Sequence, residues 1–492
     1  MIRATTTPVL AAALAATAAL TIAAAASAAP GKFGPLPPPN PAAGPVGTAF
    51  QHGDSEASDS TPFAGPGAGA VRSTFAPLGA NCASILMGSD GVVQALCSSN
   101  ADQSPVVQLL DPGTGASLAS LALPKGGLFS GVYGYLDNAN RMVAVDGRKN
   151  LVRIGHDRGG PNGSWRLFTA ESTSIASAAE KFCGTPGCDN VVAPTPDHSG
   201  KVWFATSRAT VGVVDTATGV ASSILLGAGE GVANSIASAP EGMSVATTHA
   251  LYLLRIDDSG TPQVVWRKEY DRGPGRKPGQ LSHGTGATPT FFGPRTGTEY
   301  IAITDNAAPQ ENLLVHRTAD GSTVCSTPVV AGTENSPIGS GNSVFVASTF
   351  GYPYPVDLGP SVPPTADFTG GMVRVDVAAD GSGCATKWTN EVRSAAVPKL
   401  SLADGGIYTI ARRSPGGQPG PDDTYEYTVT DAQTGHVRRA QQIGQGAGQN
   451  TLQLAGNIMP DGTLLQGAVA GVHRIASVGG QGPGSSSGGS AN

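Results

Sequence analysis

Residues 211–226 read VGVVDTATGVASSILL, which is an apolar run, an Asp-Thr-Ala-Thr-Gly turn and a second strand-forming run. In such a turn the Asp215 carboxylate accepts hydrogen bonds from backbone N–H groups, and Gly219 takes the left-handed conformation. The stretch therefore predicts a β-hairpin.

The same unit recurs along the chain. Its seven copies are centred near Asp111, Asp157, Asp215, Asp257, Asp320, Asp380 and Asp431. A further apolar strand precedes each copy, and an eighth such strand, residues 463–469, leads into residues 472–475 without a closing strand of its own. Residues 70–78, which precede the first unit, are expected to supply that strand and so to remove the exposed sheet edges.

Strand starts about 40 to 62 residues apart suit four-stranded blades. We therefore predict an all-β chain folded as an eight-bladed β-propeller, with a seven-bladed propeller as the alternative because the first and last units are degenerate. A β-sandwich would not repeat one hairpin seven times, and a β-helix would have a shorter repeat.

The chain ends differ in composition from this body. Residues 1–28 carry Arg3, an apolar Ala/Leu stretch and Ala26-Ser27-Ala28, which is the pattern of a cleavable signal peptide. Residues 29–70 are rich in Pro and Gly and are predicted to be a disordered linker, and residues 479–492 a disordered Gly/Ser tail. The propeller is thus expected to span residues 71–478.

Composition limits the partners. Charged residues make up 13% of the chain, the formal net charge is −6 and no basic stripe is present, which argues against nucleic acid. No stretch after the signal peptide has the ~20 apolar residues needed to span a bilayer. We expect a monomeric, secreted, extracellular protein, with the cell envelope as a further location.

Six cysteines in an exported chain favour disulfides over free thiols. Fifteen pairings are possible, and proximity in sequence favours Cys82 with Cys97, Cys183 with Cys188, and Cys325 with Cys384.

The turns Asp111-Pro-Gly-Thr-Gly115, Asp215-Thr-Ala-Thr-Gly219 and Asp431-Ala-Gln-Thr-Gly435 resemble repeats of the quinoprotein-alcohol-dehydrogenase-like propeller superfamily. The resemblance covers most of the body and implies the fold. Quinone enzymes of that group carry adjacent cysteines and a stacking Trp, and no two cysteines are adjacent here.

A looser resemblance concerns Ile303-Thr304-Asp305-Asn306 and Glu334-Asn335, which are similar to the acid and amide sets of calcium-dependent propeller lactonases of the gluconolactonase-, paraoxonase- and strictosidine-synthase-like families. It implies a Ca²⁺ ion, because carboxylate and amide oxygens suit that cation. The ligands that it suggests are Glu334, Asn335, Asp305 and Asn234.

The loops that enter the innermost strands of a propeller converge at one mouth. An Asn, or His283 in one loop, takes the same relative place in five of them, at Asn190, Asn234, Asn335 and Asn450. These side chains either cap their turns or line a central pocket. His283 is a candidate general base, with Asp305 as a second catalytic candidate.

Other side chains near this mouth are candidates for substrate binding. Tyr352 and Tyr354 are expected to form a wall for a sugar or apolar ligand, or to pack at the rim. Arg412 is expected to bind a carboxylate or to face water, and Asn190 and Asn450 to contact the substrate.

Two functions follow. The first is a metal-dependent lactone or ester hydrolase, or a lyase, that acts on a small molecule or carbohydrate. The alternative is a non-catalytic binding or scaffold propeller, and a quinoprotein oxidoreductase is a distant third. The sequence does not reveal the substrate or the metal.

Overall fold

Each Asp-Gly turn closes a hairpin in the computed structural model, which describes Met1 and residues 33–126, 133–415 and 417–479. The Asp111 Oδ1 atom accepts the N–H of Thr114 at 2.8 Å, and Gly115 has a φ of 79°. Asp431 and Gly435 repeat this geometry. The hydrogen bonds that the motif predicts are therefore the ones that form.

These hairpins belong to eight antiparallel sheets arranged as the blades of a propeller. In each of blades 1 to 7 the four main strands follow chain order from the axis outward. Blade 1 comprises Ala80–Met87, Val93–Ser99, Pro105–Leu110 and Ser117–Ala122, and blade 2 comprises Tyr135–Leu136, Met142–Val145, Asn150–Asp157 and Arg166–Ser174. Blade 3 comprises Val191–Pro196, Val202–Thr206, Thr210–Asp215 and Val220–Leu225, and blade 4 comprises Ala237–Ala239, Gly242–Ala246, Ala250–Ile256 and Pro262–Glu269.

The remaining blades complete the ring. Blade 5 comprises Thr290–Phe292, Tyr300–Thr304, Asn312–Arg317 and Thr323–Pro328, and blade 6 comprises Ile338–Ser340, Ser343–Ala347, Met372–Val377 and Cys384–Asn390. Blade 7 comprises Lys399–Ser401, Gly406–Arg413, Thr424–Asp431 and Val437–Gln445, and blade 8 comprises Asn457–Ile458, Leu464–Ala468, Gly471–Ser477 and Val71–Pro77. Short helical turns lie at Pro161–Gly163, Ala176–Ala179 and Ala447–Gln449.

Blade 8 joins the two ends of the body. Val71–Pro77 pairs antiparallel with Gly471–Ser477 over its whole length and forms the outermost strand of that blade. The expected closing strand is confirmed, and the propeller has eight blades rather than seven.

The core is a ring of apolar clusters between neighbouring blades. Val213 of blade 3 packs with Val245 of blade 4, and Val315 of blade 5 with Val344 of blade 6. Three disulfides add to this packing in the pairing favoured by the sequence: Cys82–Cys97, Cys183–Cys188 and Cys325–Cys384. The last one ties the outer strands of blades 5 and 6 together.

The linker prediction fails for residues 33–70, which are ordered and mostly buried or half-buried. Residues 33–47 lie across the face that carries the turns between the first and second strands of the blades. There the Asn40 side chain donates to the Pro196 carbonyl at 3.0 Å. Residues 48–61, which we call the channel segment, then pass through the centre of the ring. Its last residues, Ser60–Thr61, pair in parallel with Lys399–Ser401 as a fifth strand of blade 7.

The channel segment is bonded to the innermost strands around the ring. Its carbonyl groups accept N–H groups of Met87, Leu136, Ser238, Phe291, Gly339 and Leu400, at distances of 2.7–3.1 Å. The path is tight: a Cβ atom on Gly53, whose φ is 89°, would lie 2.7 Å from the Ser60 carbonyl oxygen. Glycine is therefore required at this position of the channel segment.

The predicted signal peptide, residues 1–28, and most of the predicted tail, 480–492, lie outside the described residues apart from Met1. Across the described part of the chain, no helix has the length and apolar character that would carry it through a bilayer.

Candidate functional site

A central cavity of about 380 Å³ opens on the face where the connections between blades enter the innermost strands. Gln51 and His52 of the channel segment form its floor. The connections into blades 2, 4, 5, 6 and 8 contribute to its wall, which includes Tyr133, Asn234, Leu281, Glu334 and Gln453. The predicted convergence of these loops thus produces a cavity closed below by the N-terminal chain.

Glu334 is the only carboxyl-bearing side chain among the described residues that line this cavity. Its Oε2 accepts the N–H of Leu281 at 2.9 Å, and its Oε1 lies 3.2 Å from the Asn234 amide nitrogen. Asn234 in turn accepts the Tyr133 hydroxyl at 2.7 Å. Burial raises the pKa of Glu334 to about 8, so its protonated form is populated near neutral pH.

An amide pair forms another part of the wall. The Asn335 side chain donates to the Gln453 Oε1 at 3.1 Å, and Gln453 donates to the Ser394 carbonyl at 2.7 Å. Asn335 was predicted at this face, whereas Gln453 was not. Its position three residues after a buried turn residue, Asn450, carries no signal of its own.

The aromatic candidates divide into one wall residue and one support. Tyr354 lines the cavity, while Tyr352 is buried beneath it with the two rings edge to face at 5.0 Å. The Tyr352 hydroxyl donates to Asn450, and Arg412 lies 5.5 Å from its ring. Arg412 is itself buried and ion-paired with Asp423 at 2.8 Å. Tyr352, Asn450 and Arg412 therefore support the wall and are not among the residues that line the cavity.

His283, Asp305 and Asn190 are likewise not among the lining residues. The His283 Nε2 atom lies 2.9 Å from the Arg272 carbonyl, to which it donates. The Asp305 carboxylate accepts the Asn312 side chain at 2.8 Å and its N–H at 2.7 Å, and so fixes its own loop. For His283 and Asp305 these bonds match turn and loop roles.

The suggested Ca²⁺ ligands do not converge. Asn234, Glu334 and Asn335 line one cavity, but Asp305 is held in its own loop, and the Asn234 and Asn335 amides bond to protein neighbours. Among the described residues, no group of three or more His, Cys, Asp or Glu side chains is placed to hold a metal ion. The residues present do not fit a cation that takes six to eight oxygen ligands, and calcium stays a prediction of the sequence alone.

The channel segment supplies polar groups that the sequence reasoning missed. His52 Nδ1 lies 2.8 Å from Asp59 Oδ2, and the Lys399 ammonium lies 2.8 Å from Asp59 Oδ1. Although burial opposes it, the neighbouring His52 and Lys399 side chains hold the pKa of Asp59 below its usual range. The run HGDSEASDS, residues 52–60, contains one histidine and three acids within a Pro/Gly-rich region. This contrast in composition is the feature of the sequence that could have indicated these polar groups.

No protein-family model matches the sequence, and neither does any curated protein. Among solved structures, a chain of the mitotic checkpoint complex is similar over 72% of this chain and 91% of its own, with 11% identity and a TM-score of 0.42. BamB from Moraxella catarrhalis is similar over 66% of this chain and 93% of its own, with 13% identity and a TM-score of 0.35. The blade order and strand pairing identify the fold directly: the chain is an eight-bladed β-propeller with a central cavity.

Proposed function

We propose that the protein binds a small neutral molecule of the sugar, lactone or ester class in its central cavity. The observation that carries this proposal is a cavity of about 380 Å³ with its floor formed by the channel segment and a lining that combines apolar surface with polar side chains from several blades. Volumes of roughly 300–1,000 Å³ are typical of small-molecule sites.

The lining favours an uncharged, hydroxylated ligand. Asn335 and Gln453, which are hydrogen-bonded to each other, form a polar part of the wall, and Tyr354 presents an aromatic ring against which a sugar or lactone ring packs. Glu334, protonated near neutral pH, donates a hydrogen bond without repelling a carbonyl oxygen. A small molecule therefore suits this cavity better than a macromolecule.

Metal-dependent hydrolysis, the first prediction from the sequence, has no support from the lining residues. Metal analysis of the purified protein tests it, and stoichiometric calcium together with a melting temperature lowered by chelation would restore it.

Export and a monomeric state belong to the same proposal. Three disulfides are more typical of an oxidising compartment than of the cytosol. Mass spectrometry of the N-terminus of protein recovered from the culture medium tests secretion, and light scattering tests the oligomeric state.

The binding test is thermal unfolding of the full chain with monosaccharides, δ-valerolactone and dihydrocoumarin. Val356→Trp narrows the mouth, since Val356 lines the cavity and is 50% exposed. Val264→Trp, at an outer strand of blade 4 with 43% exposure, is the matched control. We expect at least one probe to raise the melting temperature of the wild type and of Val264→Trp, but not of Val356→Trp. If no probe does so, the proposed ligand class is wrong.

A further inference from the structure

The floor of the cavity carries an oriented imidazole. Asp59 is a fully buried carboxylate, and a carboxylate only accepts hydrogen bonds, so the His52 Nδ1–H donates to it at 2.8 Å. In the neutral imidazole this bond leaves the acceptor lone pair on Nε2. His52 is one of the residues that line the central cavity.

The carboxylate is itself held on its other side. Lys399 donates to Asp59 Oδ1 at 2.8 Å and to the Gln51 carbonyl at 3.1 Å, so both Asp59 oxygens are occupied. Asp59 has a φ of 52°, a left-handed conformation that an aspartate adopts at a cost. Such backbone conformations persist where the surroundings hold them, and they cluster at functional sites.

Hydroxyl groups face the other side of the ring. The Thr288 Oγ1 atom lies 3.5 Å from His52 Nε2 and 2.8 Å from the Ser235 Oγ atom. The Thr288 N–H donates to Ser336 Oγ at 3.0 Å, and both Thr288 and Ser336 line the cavity. A water molecule or a substrate hydroxyl in the cavity thus meets a basic nitrogen flanked by hydrogen-bonding groups.

From this geometry we propose that His52, oriented by Asp59, is the general base of a metal-independent hydrolysis of a carboxylic ester or lactone bound in the central cavity. The proposal rests on the proposed function, because the substrate must occupy that cavity. It adds a reaction and a catalytic residue to the binding role.

The chemistry balances with water as the co-reactant. Nε2 takes a proton from water while the water oxygen bonds to the carbonyl carbon. The resulting tetrahedral intermediate collapses with cleavage of the ester C–O bond, and the imidazolium returns its proton to the leaving oxygen. The products are a carboxylic acid and an alcohol, joined in one molecule if the substrate is a lactone. Glu334, on the wall of the same cavity, is a hydrogen-bond donor for the carbonyl oxygen when protonated.

The experiment measures hydrolysis of p-nitrophenyl acetate and dihydrocoumarin by the full chain and by His52→Gln, Asp59→Asn and His52→Ala. His436→Gln, an exposed histidine on a hairpin turn of blade 7, is the matched control. We expect kcat to fall by about 10²- to 10⁴-fold in His52→Gln with KM little changed, and by a comparable factor in Asp59→Asn. Added imidazole should restore part of the turnover of His52→Ala, because the deletion opens into the cavity.

Three outcomes would overturn the inference. The first is turnover that survives in His52→Gln. The second is a loss in His52→Ala that follows its melting temperature and is not rescued by imidazole, which would make the residue structural. The third is a wild type that is stabilised by dihydrocoumarin but does not hydrolyse it. In that third case the binding proposal stands, whereas the absence of any stabilisation contradicts the binding proposal itself.

Discussion

Buried ionisable side chains set much of the chemistry of this molecule at the residue scale. Burial raises the pKa of Asp54 to about 7, of Glu56 to about 8 and of Glu334 to about 8. Asp59, a few residues away from the first two, keeps its charge because Lys399 and His52 contact it. Ion pairing, more than depth of burial, separates the charged carboxylate from those that hold their protons.

A pH dependence of stability follows for Glu334. Its folded-state pKa is raised, so between about pH 5 and 8 the unfolded chain binds fewer protons, and the free energy of unfolding decreases as the pH rises. We expect the stability difference between Glu334→Gln and the wild type to shift in favour of the variant between pH 5 and pH 9. Urea unfolding at pH 5, 7 and 9 measures it. The exposed Glu391→Gln control should show no such shift, and parallel curves for Glu334→Gln and wild type would contradict the assignment.

A second prediction concerns the contribution of the Lys399–Asp59 ion pair to stability. Lys399→Met leaves the buried Asp59 carboxylate without its ammonium partner, and breaking a buried pair in this way costs about 3–5 kcal/mol. Urea unfolding of this variant and of the exposed Lys387→Met measures the difference. Equal stability of the two variants would show that the pair is not maintained in solution.

At the scale of elements, the hairpins could be predicted and the channel segment could not. The hydrogen bonds that form the turn at Asp111 and Gly115 join residues close to each other in sequence, so the local sequence is enough to predict this turn. Gly53 is needed because its φ of 89° is left-handed and a Cβ atom there would lie 2.7 Å from the Ser60 carbonyl oxygen, a contact that depends on the path of the segment and is not visible in the local sequence. The segment is buried because the innermost strands of the ring surround it, whereas the Pro- and Gly-rich composition of residues 29–70 taken in isolation indicates disorder.

In the same way, some residues of the candidate site could be predicted from the sequence and others could not. Glu334, Asn335 and Asn234 were found because equivalent loops of a repeat converge around its axis. His52 and Asp59 were missed because they belong to no repeat. His283 and Asp305 have suitable chemistry, but the sequence alone does not tell that their polar atoms are engaged by Arg272 and Asn312.

The disulfides should differ in their effect on stability. Cys325–Cys384 closes 59 residues and links two blades, whereas Cys183–Cys188 closes five. In the chain-entropy account, the longer loop is worth about 4 kcal/mol and the shorter about 2 kcal/mol. We expect Cys325→Ser with Cys384→Ser to lower the melting temperature more than Cys183→Ser with Cys188→Ser. The reverse order would show that strain or residual structure outweighs loop closure.

At the scale of the whole molecule, the N-terminal chain contributes to two distant places. It fills the channel and then, after the exposed residues 68–70, supplies the outer strand of blade 8. Neither contact depends on the covalent connection between them once the ring is closed.

This arrangement predicts the result of a single cut. Elastase, which cleaves after small residues, should nick the chain at residues 68–70, and the N-terminal fragment should still co-elute with the rest because buried hydrogen bonds hold it. Gel filtration with and without denaturant checks this. Release of the fragment under native conditions would mean that the channel segment is loosely held.

The channel segment also determines the order in which the molecule is completed. It is synthesised before the blades, yet the Asn457 side chain that donates to its Phe50 carbonyl lies 407 residues further along the chain, in blade 8. The channel segment therefore cannot complete its hydrogen bonds until blade 8 has been synthesised. Contacts of such long sequence separation slow folding, so the cavity floor, with His52 in place, is expected to be among the last parts of the protein to form.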